Sequence, residues 1–138
     1  MKKVEHIGIA VKELSKAIPV YEKLLNTNCY KVETVESEKV NTAFLKSGET
    51  KIELMESTDP AGVIARFIEK RGEGMHHLAF EVEDIREEMA RLKKDGFELI
   101  HDQPRPGADQ KLVCFIHPKH TFGVLVEICQ DTRTGREL

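Results

Sequence analysis

The amino-acid sequence predicts an α+β fold built from two βαβββ modules in tandem, and three observations carry that reading. The halves repeat: Val4-Glu5-His6-Ile7-Gly8-Ile9-Ala10-Val11 returns as Met75-His76-His77-Leu78-Ala79-Phe80-Glu81-Val82. Likewise Lys51-Ile52-Glu53-Leu54-Met55 returns as Leu125-Val126-Glu127-Ile128-Cys129. Each half opens with a strand-like alternation and then switches to helical spacing. Turn residues divide the remainder of each half into short strands. The repeats cover about 4–57 and 75–130 of 138 residues, one domain by length with chain enough for a sizeable core.

Residues 4–11 alternate and are rich in β-branched side chains, which predicts a strand. Over 15–26, Ala17, Ile18, Tyr21, Leu24 and Leu25 form one helical stripe, with Pro19 in its early turns. Strands follow at 29–36, 40–46 and 50–56, the last two joined by a turn at Ser47-Gly48-Glu49. A connector helix at about 60–70 shows an apolar face of Val63, Ile64, Phe67 and Ile68, and Arg71-Gly72-Glu73-Gly74 ends it. The second half repeats the plan with a strand at 75–82. In the helix after it, Asp84-Ile85-Arg86-Glu87 reads as a capping box, Ile85, Met89 and Leu92 form the stripe, and Gly96 closes it. Further strands are predicted at about 97–101, 111–116 and 121–130, with Pro104-Arg105-Pro106-Gly107-Ala108-Asp109 a loop by its turn residues. The polar tail after Gln130 is expected to fray.

Composition narrows the function. A balance of 40% hydrophobic and 33% charged residues is that of a soluble globular protein. A net charge of −3 lacks the basic footprint of a nucleic-acid binder. No apolar run approaches the ~18 residues of a membrane span. The opening Met-Lys-Lys runs into an alternating strand and not the apolar block of a signal peptide, so a cytoplasmic protein is expected. Cys29, Cys114 and Cys129 are odd in number and without C-x-x-C spacing, the pattern of reduced, buried thiols.

The repeat places His6 in register with His77 and Glu53 in register with Glu127. Alternation sets His6, Gly8 and Ala10 on one face, opposite Ile7, Ile9 and Val11; His77 and Ala79 likewise oppose Leu78, Phe80 and Val82. Glu53 is flanked by Ile52 and Leu54, and Glu127 by Val126 and Ile128, so all four point away from the apolar faces. The apolar faces should meet the helices, which leaves the four on an open face. One strand histidine alone is ordinary surface chemistry. Four such residues in register across a duplication form a donor set of two imidazoles and two carboxylates that suits Co²⁺, Mn²⁺, Ni²⁺, Fe²⁺ or Zn²⁺. His6, Glu53, His77 and Glu127 are therefore expected to share one coordination sphere. His76 is out of phase and reads as a packing neighbour; His101 and His120 compete weakly as ligands. His117-Pro118-Lys119, where a strand ends in a turn, offers Lys119 and His117 as substrate-loop candidates, Lys119 meeting a phosphate or carboxylate as a point charge. No G-x-x-x-x-G-K-[ST] or G-x-S-x-G is present.

These segments resemble the vicinal oxygen chelate (glyoxalase/bleomycin resistance/dioxygenase) superfamily and, within it, the methylmalonyl-CoA epimerase branch. The resemblance runs from His6 to about Gln130 through His6-Ile7-Gly8-Ile9-Ala10-Val11, Thr50-Lys51-Ile52-Glu53-Leu54, Ile64-Ala65-Arg66-Phe67-Ile68, Gly74-Met75-His76-His77, Phe115-Ile116-His117-Pro118-Lys119 and Gly123-Val124-Leu125-Val126-Glu127. It implies a glyoxalase-like curled, mixed, eight-stranded sheet around a metal cleft. His6, His77 and Glu127 would be ligands, with Glu53 where relatives hold Gln or Glu. It also implies interconversion of (2R)- and (2S)-methylmalonyl-CoA through an enolate, an acyl-CoA thioester as substrate, and Glu127 as a base at C2.

Two departures from the branch stand out. Some epimerases carry a second glutamate on the third strand, where this chain has Thr42, which cannot serve as that base; water, Glu36 or Glu38 then becomes the second proton carrier. Gly107-Ala108-Asp109-Gln110-Lys111 lacks the family's second glycine in a loop that shapes the acyl-CoA entrance. A lactoylglutathione lyase, with the same ligand logic, is the nearest alternative, although His117-Pro118-Lys119 replaces the Asp-Pro-Asp-Gly turn common there. A metal-free sequestering protein is a third reading, opposed by the full donor set. A homodimer is expected, mainly on the resemblance, since twofold pairing also covers strand edges.

Overall fold

The computed structural model describes residues 1–134. The elements run β1 (Lys3–Ala10), α1 (Leu14–Leu25), β2 (Lys31–Val35), β3 (Val40–Ser47), β4 (Thr50–Ser57), α2 (Val63–Arg71), β5 (Gly74–Glu81), α3 (Ile85–Lys94), β6 (Arg105–Pro106), β7 (Lys111–Ile116) and β8 (Val126–Asp131). This is the expected α+β order of βαβββ, connector helix, βαβββ. The chain divides into two compact units: residues 6–76, and residues 1–5 together with 77 onward.

In the unit of residues 6–76 the strands lie in the order β2-β3-β4-β1. β1 runs parallel to β4, while β2–β3 and β3–β4 are antiparallel. A two-residue turn at Gly48-Glu49 joins β3 to β4, and Gly48 takes the left-handed φ of 64° that such a tight hairpin requires. One face of these strands packs on α1: Leu14, Ala17, Ile18, Tyr21 and Leu25 meet Val11, Ala43, Leu45 and Leu54. Leu24, expected on that stripe, is 70% exposed. At 100° per residue it sits about 80° off the line through Leu14 and Leu25, on the solvent rim. Pro19 lies inside α1 on its exposed side, and the carbonyl that loses a helical partner belongs to exposed Ser15. In α2, Ile64 is buried, whereas Val63 at the first turn is 60% exposed.

In the other unit the order is β5-β8-β7-β6, again with the first strand parallel to the last, β5 beside β8. Ile85, Met89 and Leu92 of α3, the expected stripe, bury against Val82, Cys114, Ile116 and Ile128. Asp84 caps α3 by accepting from the N–H groups of Arg86 and Glu87, both at 3.1 Å. The strand expected at 97–101 is reduced to a bridge between Leu99 and Ile116. The edge pairing resumes at β6, inside the segment read as a loop. Pro104 and Pro106 contribute no N–H to a ladder, so only short pieces pair along this edge. Residues 121–125 are likewise not strand: Pro118–His120 form a 3-10 turn, and Phe122 and Gly123 take φ of 55° and 90° before β8 begins.

The tail expected to fray after Gln130 is ordered as far as it is described. β8 ends at Asp131 and a 3-10 turn follows over Thr132–Thr134, while the last four residues lie outside the described residues. Thr132 donates from its N–H and its hydroxyl to the Gln110 carbonyl at 3.0 and 2.8 Å. The carbonyl it meets lies in the β6–β7 turn, where Asp109 and Gln110 take φ of 57° and 55°. Two consecutive left-handed residues without a glycine store strain. Gln110→Gly should raise stability by about 0.5–1 kcal/mol, while Asp84→Ala, which deletes a cap, should lower it by about 1 kcal/mol. Urea denaturation of the two variants should move the midpoint in opposite directions with unchanged slope.

Candidate active site

In the unit of residues 6–76, the parallel register sets Gly8 opposite Glu53, two residues along from His6. Opposed residues share a face, so the carboxylate turns toward the imidazole. His6 Nε2 lies 3.4 Å from Glu53 Oε1. On the other side of β4, Phe44 stands opposite Glu53 and Thr42 opposite Met55.

The other unit repeats this register. Ala79, two residues along from His77, stands opposite Glu127, and Phe115 of β7 stands opposite Glu127 on its far side. His77 Nε2 lies 3.3 Å from Glu127 Oε1, and the Phe115 ring meets the His77 ring edge-on at 5.8 Å between centroids. The four residues expected as donors thus form two buried pairs, each within its own unit. They were expected on an open face; instead each is only 4–6% exposed. Alternation reports which face a side chain takes, and not what covers that face.

The duplication extends to groups that the strand patterns did not single out. Val11 donates to the Met55 carbonyl at 2.9 Å, and Val82 donates to the Cys129 carbonyl at 2.9 Å. The first N–H of α1, on Leu14, donates to the Glu56 carboxylate at 3.3 Å; that of α3, on Ile85, donates to the Gln130 amide oxygen at 2.8 Å. Glu56 and Gln130 each stand three residues after the paired glutamate, so the strand that carries the carboxylate also caps the helix behind it. Phe44 and Phe115 are a matched pair of the same kind. Extending the repeat alignment to the third strand of each half would have found them.

Other candidates have different employment. His76 packs against Phe67 with ring centroids 4.9 Å apart, the packing role expected of it. His101 contacts Arg105 at 2.8 Å. His117 caps the 3-10 turn by accepting from the Lys119 N–H at 3.2 Å, and Lys119 Nζ pairs with Glu98 at 2.6 Å. Thr42 is fully buried and its hydroxyl donates to the Glu33 carbonyl at 3.2 Å. Cys114 and Cys129 are buried free thiols, as expected, while Cys29 is half-buried. Desolvation first, and the nearby Glu127 and Glu5 carboxylates second, push the Cys129 thiol far above its ordinary range, which leaves it protonated and unreactive.

Along β7 and β8 the Glu127 face ends in charge. Buried Lys111 Nζ lies 3.5 Å from both Asp109 and Asp131, and Arg133 closes on Asp131 at 2.9 Å. The hydrogen bond from Arg133 draws the Asp131 carboxyl down to about 2, helped by the Arg133 backbone N–H and by Lys111. This cluster ties the strained β6–β7 turn to the end of β8.

The Glyoxalase/Bleomycin resistance protein/Dioxygenase superfamily matches residues 5–115. By that match the chain belongs to this superfamily. An uncharacterized Bacillus subtilis protein is 41% identical over 130 residues, 94% of this chain and 93% of that one. The ethylmalonyl-CoA/methylmalonyl-CoA epimerase of Cereibacter sphaeroides is 35% identical over 130 residues, 93% of this chain and 97% of that one. A crystallised variant of the Streptomyces coelicolor methylmalonyl-CoA epimerase, in complex with 2-nitronate-propionyl-CoA, aligns with a TM-score of 0.92 and 29% identity over 96% of this chain and 99% of that one. Within the superfamily, then, the chain's place is the methylmalonyl-CoA epimerase family, as the sequence resemblance implied. No helix among the described residues is long and apolar enough to cross a membrane.

The Asp131 carboxyl sits below its ordinary value of 3.8, so the unfolded chain takes up this proton first as pH falls. Its stabilisation is therefore full above about pH 4 and lost as pH drops to about 2. Asp131→Asn should be less stable than the native protein at pH 7, with the difference shrinking to nothing near pH 2. Denaturant titrations at both pH values read this directly.

Proposed function

We propose that this protein interconverts (2R)- and (2S)-methylmalonyl-CoA, with one divalent ion held by His6, Glu53, His77 and Glu127. The observation that carries this reading is the duplicated buried pair. Two donors each about 2.1 Å from one ion stand about 3.0–3.4 Å apart; the imidazole–carboxylate separations are 3.4 and 3.3 Å. Two neutral nitrogens with two carboxylates suit Co²⁺, Mn²⁺, Ni²⁺ or Zn²⁺. When bound, such an ion supplies Lewis acidity that stabilises the negative charge of an enolate.

The chain's residues handle the proton. Glu127 takes it from C2 on one face of the substrate, where it is flanked by C–C bonds to a thioester and a carboxylate. His77 fixes the orientation of that carboxylate, and the Phe115 ring packs edge-on against His77. Phe44 and Glu53 occupy the matching positions in the other module. Thr42 commits its hydroxyl to a backbone carbonyl, and Glu36 and Glu38 lie in a surface 3-10 turn, so water is the second proton carrier in this mechanism. The protein functions as a cytoplasmic homodimer in this reading; β2, the last strand of its module, carries Val32 at 61% exposure, an apolar side chain that pairing would cover.

Proton exchange at C2 of methylmalonyl-CoA, measured beside turnover of the glutathione hemithioacetal, separates this reading from a lactoylglutathione lyase: exchange is expected and hemithioacetal turnover is not. Metal analysis of the purified protein should find one divalent ion per chain, and His77→Ala should lose it.

Glu127→Gln keeps an oxygen donor and nearly the same volume but removes the proton acceptor. Saturated with Co²⁺ or Mn²⁺, this variant should still bind metal while turnover falls by about 10²–10⁴. Recovery of near-native turnover in the metal-loaded variant would rule out the base role.

A further inference from the structure

The two phenylalanines that stand across from the paired glutamates are matched in register and unequal in surroundings. Phe44, opposite Glu53, is 2% exposed and lies against Tyr30 with ring centroids 6.3 Å apart. Phe115, opposite Glu127, is only half-buried. Its ring meets His77 edge-on and packs on Ala79, Val113 and Cys129, none of them more than 6% exposed. The phenylalanine beside Glu127 thus keeps surface for a ligand, and its counterpart does not.

The chemistry of the substrate says what that surface meets. In a 2-alkylmalonyl thioester, C2 bears a proton, a thioester carbon, a carboxylate carbon and an alkyl group. The proton faces the Glu127 carboxylate, and the thioester and carboxylate oxygens call for donors or a cation. The alkyl group can use neither and needs apolar surface. When C2 flattens to an enolate, the alkyl carbon lies in the enolate plane, at right angles to the bond that held the proton. It therefore sits beside the base and not beneath it. The residues beside Glu127, on strands about 4.8 Å to either side, are Ala79 and Phe115. Ala79 has no exposed surface.

We propose that the Phe115 ring is the wall against which the C2 alkyl group lies, and that it limits the size of this group. This rests on the epimerase reading above and assigns the residue that decides which 2-alkylmalonyl thioesters are accepted. The wall is firm, because the ring is held by His77 on one side and by a close-packed floor beneath. A longer alkyl group must displace the ring or lift C2 away from Glu127.

The test compares kcat/KM for methylmalonyl-CoA and ethylmalonyl-CoA, read as proton exchange at C2, in the full-length, metal-loaded protein and its variants. The ratio of the two is the readout, since a loss of metal or of stability lowers both alike. The native protein should favour methylmalonyl-CoA by about tenfold or more, the scale of one methylene in a closed apolar pocket. Phe115→Leu opens the wall and should move the ratio toward ethylmalonyl-CoA by about tenfold. Phe115→Met, nearer in volume, should move it the same way and stands in if thermal unfolding shows the leucine variant unfolded. Phe44→Leu should leave the ratio at its native value. An unchanged ratio in folded Phe115 variants would overturn the wall and leave the epimerase reading standing. A ratio that moves as far in Phe44→Leu would also overturn it, as would one that moves only in Leu125→Ala, which would assign the role to that half-buried residue ahead of β8. No exchange from either thioester by the native protein would overturn both readings.

Discussion

A carboxylate removed from water costs several kcal/mol unless a partner compensates it, and this chain makes that commitment twice, at Glu53 and Glu127. Each is buried to the same degree as the imidazole that faces it. Removing one member of such a pair strands the other, at about 3–5 kcal/mol. The register is what brings the partners together. A parallel strand pair sets the glutamate across from the second residue after the histidine, and that residue is Gly8 in one module and Ala79 in the other. Neither presents more than a methyl group, which leaves room for the imidazole and carboxylate to approach over it. A larger residue at either position would occupy the space in which the pair meets.

The opposite faces of the same strands carry the rest of the fold. Ile52 and Leu54 flank Glu53 and pack toward α1; Val126 and Ile128 flank Glu127 and pack toward α3. Because side chains alternate with period two, a slip of one residue in β4 or β8 would drive a carboxylate into an apolar helix interface. Burial of the helices and orientation of the glutamates are thus one event. Glu56 and Gln130 strengthen the link, since each accepts from the first N–H of the helix behind its own strand. The helices are fixed to the strands at the point where the paired carboxylates sit.

Those features were the legible ones. Two periodicities and an internal repeat were enough to read β1, β4, β5 and β8 with their four polar residues, and a strong cap with three well-spaced apolar residues was enough for α3. What escaped depends on contacts that no local pattern encodes. Leu24 matches the apolar spacing of α1, yet its angular position places it on the rim. The segment 97–101 has strand composition, but its neighbours Pro104 and Pro106 interrupt the donors along that edge. Asp131 to Arg133 reads as a polar tail and is held instead by Lys111, Asp109 and the Gln110 carbonyl, partners some twenty residues away in the chain. The burial of the four donors was invisible for the same reason: alternation separates two faces and is silent about which face is covered.

The departures from the repeat divide labour between its halves. Around the histidine–glutamate pair the modules match position for position, with Gly8 answering to Ala79 and a phenylalanine across from each carboxylate. Moving outward, they diverge. The first keeps a continuous β2 and places Lys31 and Lys46 on the site face. The second breaks its corresponding edge and ends its site face in a neutralised cluster, where Lys111 is held between Asp109 and Asp131. Lys111, enclosed by two carboxylates, serves to hold the β6–β7 turn against the end of β8. A duplication that began with two equivalent ends has therefore kept its pairs and specialised its edges.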